Sequence, residues 1–156
     1  MSDVSFSLKN IKKRAEFIQN LSAKAVEVGV LENSRGVSRK GQVSKLGAAE
    51  IAAIQCKGTI DSGHYIPPRD YQTNAFVENK KKYKKIIKKA IANGIESSNV
   101  FMVVGQIAVA DQKLAIRKIT PRNAPSTIKA KGKDSPLIDT GHLLKSLAYK
   151  VVDSGN

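Results

Sequence analysis

Two long helical segments follow one another in the middle of the chain, and they constrain its fold more than any other feature. The first is predicted from Thr73 to Asn93 and is roughly 30 Å long, and Gly94 separates it from the second, predicted from Ser98 to Ile119. The apolar stripe of the first comprises Phe76, Tyr83, Ile87 and Ala90, with Ile86 and Ile91 alongside, and the core-facing row of the second comprises Val103, Ile107, Ala110 and Leu114. Each stripe must be buried against another layer of the fold.

Shorter elements surround this helix pair. The residue spacing predicts helices at Lys9–Ala23 and Leu46–Gln55, with Gly58 as a C-terminal stop, strands at Lys24–Leu31 and Ala148–Val152, and a strand or hairpin at Thr59–Tyr65. Helices and strands mix without a repeating βα period. We therefore expect one α+β domain over residues 1–156, in which a small, mostly antiparallel sheet packs against the two long helices.

Two segments rich in Ser, Gly, Pro and basic residues are predicted to be mobile loops, one over residues 34–45 and one over residues 120–136. After the second loop, Thr140 is predicted to be the N-cap of a short helix that ends at Leu147. Between the two loops, consecutive prolines make the Ile66-Pro67-Pro68-Arg69 segment extended, because each fixes its own φ and disfavours helix before it.

The composition excludes several classes of site. Cys56 is the single cysteine, so an intrachain disulfide framework and a cysteine-based zinc site are excluded, and two histidines make a His-rich metal site improbable. The N-terminal residues lack the apolar run of a signal peptide, and the longest apolar stretch is too short to span a bilayer. We expect no cofactor, no metal, no membrane association and no enzymatic activity.

Charge is the strongest signal in the composition. Lys and Arg number 27 against 13 Asp and Glu, a net charge of +14, which predicts a polyanion or an acidic protein surface nearby. Seven lysines fall within ten residues of the first long helix, and their mutual repulsion suggests a counter-charge in the working state. The candidate contacts to DNA phosphate or to an acidic partner are Lys80, Lys81, Lys84, Lys85, Lys88 and Lys89 on that helix, and Arg35, Arg39 and Lys40 in the first loop.

The string Leu137-Ile138-Asp139-Thr140-Gly141 has the apolar-apolar-Asp-Thr-Gly form of aspartic proteases, in which a pair of carboxylates activates water. It stands close to the C-terminal end of the sequence and is followed by helical spacing rather than by a strand. We therefore interpret Asp139 and Thr140 as helix-capping residues, and a protease remains the enzyme alternative.

Several strings, taken in order, resemble the neck and tail-completion proteins of tailed bacteriophages, also described as minor tail components or virion morphogenesis proteins. They are Val26–Val30, Ala52–Gln55 ending in Gly58-Thr59, Ile66–Arg69, and Ser135–Gly141 followed by Leu143 or Leu144, Ser146-Leu147 and Tyr149-x-Val151. The resemblance covers residues 24 to 152. It departs from the family at Asp70-Tyr71, where Pro-Phe is usual, and at Cys56-Lys57, where Glu-Phe is usual.

The resemblance implies a structural virion protein that acts at the head–tail junction and is made in the host cytoplasm. It implies a closed homo-oligomeric ring, sixfold or twelvefold, that meets other connector, terminator or tail proteins. The residues it marks for partner contact are Ile66, Pro67, Pro68, Arg69, Leu137, Ile138, Asp139, Thr140 and Gly141. A tail-terminator ring is the nearest alternative, and a non-specific basic DNA-binding protein is the alternative from another class.

Overall fold

The computed structural model has an α+β architecture and describes residues 2–31, 35–37, 43–60 and 65–154. A small antiparallel sheet packs against the two long helices, as the sequence predicts. In chain order the elements are α1 (Ser2–Ser22), β1 (Lys24–Val30), β2 (Arg35–Val37), β3 (Val43–Gly47), α2 (Ala48–Lys57), α3 (Tyr71–Ala92), α4 (Ser97–Lys118), α5 (Pro125–Lys131), α6 (His142–Ser146) and β4 (Leu147–Asp153).

Strands β1 and β4 form the sheet that packs on α4. Their antiparallel register places Val28 opposite Tyr149 and Val30 opposite Leu147. Alternate residues point to opposite faces of a strand, so these side chains share the face that meets the helix. The other face carries exposed residues such as Glu27 and Lys150, which confirms the alternation predicted for β1.

The core lies on the two sides of α4. Against α3 it consists of Tyr83, Ala90, Val100 and Val104, and towards the sheet and α6 it consists of Tyr71, Ile116, Ile119 and Leu147. Gly105 lets the sheet approach closely, because a Cβ at this position would lie 2.3 Å from Cδ2 of Tyr149. The two-layer packing thus depends on the absence of a side chain at one point of α4.

The core-facing row predicted for α4 is wrong at three of its four positions. Val103 and Leu114 are 46% and 47% exposed, and Ala110 is exposed as well. The helix instead buries a neighbouring row that includes the polar residues Asp111 and Gln112, which have hydrogen-bond partners inside the fold. Of the four predicted residues, Ile107 is half-buried and packs against the cluster of Tyr83, Ala90, Val100 and Val104. The three exposed ones, Val103, Ala110 and Leu114, form an apolar stripe called here the outer α4 row.

The stripe predicted for α3 is confirmed at Tyr83 and Ala90, but Phe76 is 59% exposed. Phe76 lines an open groove between α3, α4 and β1. A two-stranded sheet is too narrow to cover both sides of a 22-residue helix. The apolar surface at the start of α3 consequently stays open.

Neither predicted loop is wholly irregular. Residues 35–37 and 43–47 pair as a second antiparallel sheet, β2–β3, within the segment predicted as a mobile loop. Helix α5 interrupts the predicted loop 120–136, with Pro125 at its first position and Gly132 as its left-handed C-cap. The second correction has a local cause, since Pro at a helix start and Gly at its end stabilise a short helix as readily as they mark a turn.

Most element boundaries agree with the sequence prediction to within a few residues, although α1 begins seven residues earlier than predicted. The predicted strand or hairpin at Thr59–Tyr65 is reduced to a single bridge between Thr59 and Ile66, and residues 61–64 lie outside the described residues. Gly58 is the C-cap of α2, as predicted.

Candidate functional site

The two motif segments that are far apart in the sequence line one groove of about 720 Å³. We call it the motif groove. Its wall is formed by α2, the extended 65–69 segment, the turn at 121–124, α5 and the 137–143 segment. The lining residues are Ile51, Gln55, Tyr65, Ile66, Pro67, Arg69, Pro121, Arg122, Asn123, Ala124, Thr127, Lys131, Leu137, Asp139 and Leu143.

The extended segment is held against α2 by backbone hydrogen bonds. The Thr59 and Ile66 amides each donate to the other's carbonyl oxygen, at 3.0 and 3.1 Å, and the Arg69 amide donates to the Gln55 carbonyl at 2.9 Å. Gly58 has φ +71°, and a Cβ there would lie 2.5 Å from the Ile66 carbonyl oxygen. A glycine is therefore required for this segment to reach its position.

Arg69 is buried rather than available to a partner, which corrects its predicted role. Its Nε donates to the Pro121 carbonyl at 2.9 Å and its terminal guanidinium nitrogen donates to the Arg122 carbonyl at 3.1 Å. Burial lowers the pKa of the guanidinium from its ordinary value, and nearby Asp134 opposes that shift. Arg69 thus positions the groove wall by joining the two motif regions, and it is 7% exposed.

Asp134 anchors the other side of the same turn. Its carboxylate accepts a hydrogen bond from the Asn123 amide at 3.1 Å and lies 3.7 Å from the Arg122 guanidinium. Further along, Leu137 has φ +61° in the left-handed region, where a residue with a side chain is strained by about 1–2 kcal/mol. Leu137 is half-buried at the groove wall, so the strain lies where the motif meets the groove.

The remaining motif residues divide between the groove and the core. Ile66, Pro67 and Asp139 line the groove, whereas Ile138 packs against the buried cluster around Tyr71 and Ile116. Pro68 and Thr140 are exposed, and Gly141 is half-buried with φ +78°.

The N-cap predicted at Thr140 is wrong, because Gly141 occupies that position of α6. The Thr140 hydroxyl accepts only a 3.4 Å hydrogen bond from the His142 amide. Leu144, in the same helix, is half-buried against the cluster of Tyr71 and Ile116.

Sequence reasoning missed the contribution of Pro121, Arg122, Asn123 and α5 to this groove. Part of the sequence signal for an ordered segment was present, since Pro121, Pro125 and Pro136 all lie within residues 120–136. The position of this segment at the groove depends on the hydrogen bonds from Arg69 to the Pro121 and Arg122 carbonyls. These bonds connect residues more than 50 positions apart and leave no local pattern in the sequence.

The chemistry of the groove suits binding. Among its described lining residues Asp139 is the single carboxylate, whereas an aspartic-protease mechanism requires two that share a proton. No cluster of three or more His, Cys, Asp or Glu side chains suited to a metal ion occurs in the described ranges. Of the described helices, none combines the length and apolarity needed to span a membrane.

The second candidate surface is on α3. Lys80, Lys81, Lys84, Lys85, Lys88 and Lys89 are all exposed, and we call this set the lysine face. Lys82 is separated from it, because its Nζ lies 2.6 Å from the carboxylate of buried Asp111, which also accepts a 2.8 Å hydrogen bond from the Tyr83 hydroxyl. Arg35 lies in β2, and the predicted contacts Arg39 and Lys40 lie outside the described residues.

Comparison with known proteins does not identify a family. No protein-family model, no curated protein and no solved structure matches the chain significantly.

Proposed function

We propose that this chain is a structural component of a tailed-bacteriophage particle, where it acts in a ring at the head–tail junction and joins or stabilises head and tail. The observation that supports this most is the motif groove. The two strings that carry the resemblance most specifically, residues 66–69 and 137–141, contribute to the same surface. A surface built from distant parts of the chain and free of a catalytic carboxylate pair suits partner binding.

The groove favours a partner segment with an apolar side chain. Ile51, Tyr65, Ile66, Leu137 and Leu143 give it a mainly apolar lining, and Arg122 and Lys131 add positive charge at its side. Tyr65 is 67% exposed, as an aromatic anchor for a partner would be. Because prolines stiffen residues 66–69 and Arg69 holds them, binding here would cost little ordering entropy.

The outer α4 row supports the ring. It presents apolar residues on one side of the helix over three turns, and they remain exposed in the part of the chain that the structure describes. An uncovered stripe of this kind suits a contact with a second copy, and a head-to-tail contact that closes makes a ring. Sixfold or twelvefold symmetry is the expectation that the resemblance carries. A tail-terminator ring is the alternative within the same class.

Particle analysis tests the role. In particles purified from a producing lysate, mass spectrometry should detect the chain, and immunogold labelling should place gold at the head–tail junction. In the host the chain would occur in the cytoplasm before assembly. Particles that contain no copy of the chain would refute a virion role. Gold particles distributed along the tail would refute a location at the head–tail junction.

A groove variant tests the partner surface. Tyr65→Ala with Thr127→Glu changes two exposed groove residues, and Phe76→Ala removes an exposed aromatic outside the groove. All variants should keep the thermal midpoint of the parent chain, but only the groove variant should be lost from particles. Equal incorporation of both would show that the groove does not bind the partner.

A further inference from the structure

The lysine face carries six cationic side chains without partners inside the described fold. None of the six forms an ion pair with a described residue, in contrast to Lys82, which Asp111 neutralises. Pairs such as Lys80–Lys84, Lys81–Lys85 and Lys85–Lys89 are four residues apart, so they repel on the helix surface. The face therefore destabilises α3 unless an external anion lies against it.

The basic surface continues onto α1. A groove of about 550 Å³ lies between that helix and the end of α3, and it is lined by Lys13, Arg14, Phe17 and residues 91–94. Ile91 and Ala92 follow Lys88 by three and four residues, so the groove lies one turn beyond Lys88 on the same side of α3. Two further cations thus extend the line of the lysine face.

We propose that the lysine face, extended by Lys13 and Arg14, binds the phosphate backbone of double-stranded DNA independently of sequence. From Lys80 to Lys89 the helix advances about 14 Å, which matches about four phosphates along one strand. Lysine is a point charge that contacts phosphates without the bidentate geometry that reads bases, so discrimination between sequences is not expected. This inference does not depend on the virion role.

The composition of the face favours DNA over an acidic protein. Cores of protein interfaces are depleted in lysine and enriched in aromatic residues and arginine. No exposed aromatic side chain lies between Lys80 and Lys89, because Tyr83 points into the core, and Phe17 beside the α1 extension is half-buried. A row of lysines on a straight helix suits the regular charge of a nucleic-acid backbone better than the irregular surface of a protein.

The test compares two triple variants of equal charge. Lys81→Gln, Lys85→Gln and Lys88→Gln change the face, while Lys57→Gln, Lys129→Gln and Lys145→Gln change exposed lysines on α2, α5 and α6. Each triple lowers the net charge of +14 by three. Binding of a 30-base-pair DNA is measured by fluorescence anisotropy at several salt concentrations, with a second DNA sequence and polyglutamate as comparison probes.

With about five phosphates neutralised, about four by the lysine face and about one by the Lys13–Arg14 extension, log K should fall with log salt at a slope of about −4.5, a loss of roughly 500-fold between 50 and 200 mM salt. The two DNA sequences should bind equally, the control triple should keep the parent slope, and the face triple should reduce it to about −2. Equal slopes for the two triples would overturn the assignment. Polyglutamate binding as tight as DNA binding would overturn it too, in favour of an acidic protein partner.

Discussion

Gly105→Ala should destabilise the fold although alanine is the better helix former. A Cβ at this position would lie 2.3, 2.6 and 2.9 Å from Cδ2, Cγ and Cε2 of Tyr149. Rotation of the ring about χ2 leaves Cγ in place and does not clear the contact. The contact is relieved only by a change of the Tyr149 χ1 rotamer, which takes the ring out of its packed position, or by a movement of β4 away from α4.

The magnitude follows from two opposing contributions. Replacing Gly by Ala inside a helix stabilises it by about 1 kcal/mol, because less backbone entropy is lost on folding. Forcing a methyl group into a packed contact costs about 1–3 kcal/mol, and distances below 3.0 Å place this site at the upper end. We expect a net loss of about 1–2 kcal/mol in the free energy of unfolding, a fall of roughly 2–8 °C in the thermal midpoint.

A double-mutant cycle tests the reasoning, with urea unfolding followed by circular dichroism. In a Tyr149→Ala background the ring is absent, so Gly105→Ala should change sign and stabilise the chain by about 1 kcal/mol. The coupling energy between the two positions should therefore be about 2–3 kcal/mol. If Gly105→Ala destabilises equally in both backgrounds, the contact with Tyr149 is not the cause, and the close packing of α4 on the sheet is wrong.

Three further predictions use the same unfolding assay. Gly58→Ala places a Cβ against backbone atoms at positive φ, so we expect a loss of about 2–4 kcal/mol, and a loss below 1 kcal/mol would contradict the docking of the extended segment. Thr140→Ala should cost less than about 0.5 kcal/mol, because its hydrogen bond is long and exposed, and a loss above 1 kcal/mol would restore it as a true cap. Burial raises the pKa of the Cys56 thiol above the ordinary 9.0 and the pKa of the Tyr71 and Tyr83 hydroxyls above the ordinary 10.0. The unfolded chain therefore loses these protons first, and the free energy of unfolding should fall as the pH rises above about 9. Tyr83→Phe should make that fall less steep, and parallel curves of stability against pH for parent and variant would contradict the prediction.

The sequence predicts the α+β class and most elements because hydrophobic spacing is local. The alternation at Val26, Val28 and Val30 gives the strand and its buried face directly. The buried face of α4 could not be predicted in this way, since the helix is apolar on more than one side. A search for apolar rows selects Val103 and Leu114 and passes over Asp111, which is buried because Tyr83 and Lys82 satisfy its carboxylate.

In the candidate site, too, local features could be predicted from the sequence and tertiary contacts could not. Each motif string can be identified from the sequence alone, but their meeting at one groove depends on Arg69, whose hydrogen bonds reach Pro121 and Arg122. Its side chain would ordinarily be assigned to the surface, since arginine is rarely buried unless it is paired. Here the backbone carbonyls of Pro121 and Arg122 accept the hydrogen bonds of the Arg69 guanidinium. Because the tertiary fold sets the positions of these carbonyls, the burial of Arg69 could not be predicted from the sequence.

Helix α3 connects the two proposed surfaces mechanically. It begins directly after the extended segment, where the Asp70 carboxylate accepts a 2.9 Å hydrogen bond from the Thr73 amide and fixes the helix start beside the motif groove. The middle of the lysine face, near Lys84, lies about 20 Å further along the same helix. Because α3 packs firmly on α4 through Tyr83 and Ala90, the distance between the surfaces is set by a rigid element rather than by a loop. A protein partner in the groove and a DNA backbone on the lysine face could therefore be held at a fixed spacing, and a substitution on one surface should leave binding at the other unchanged.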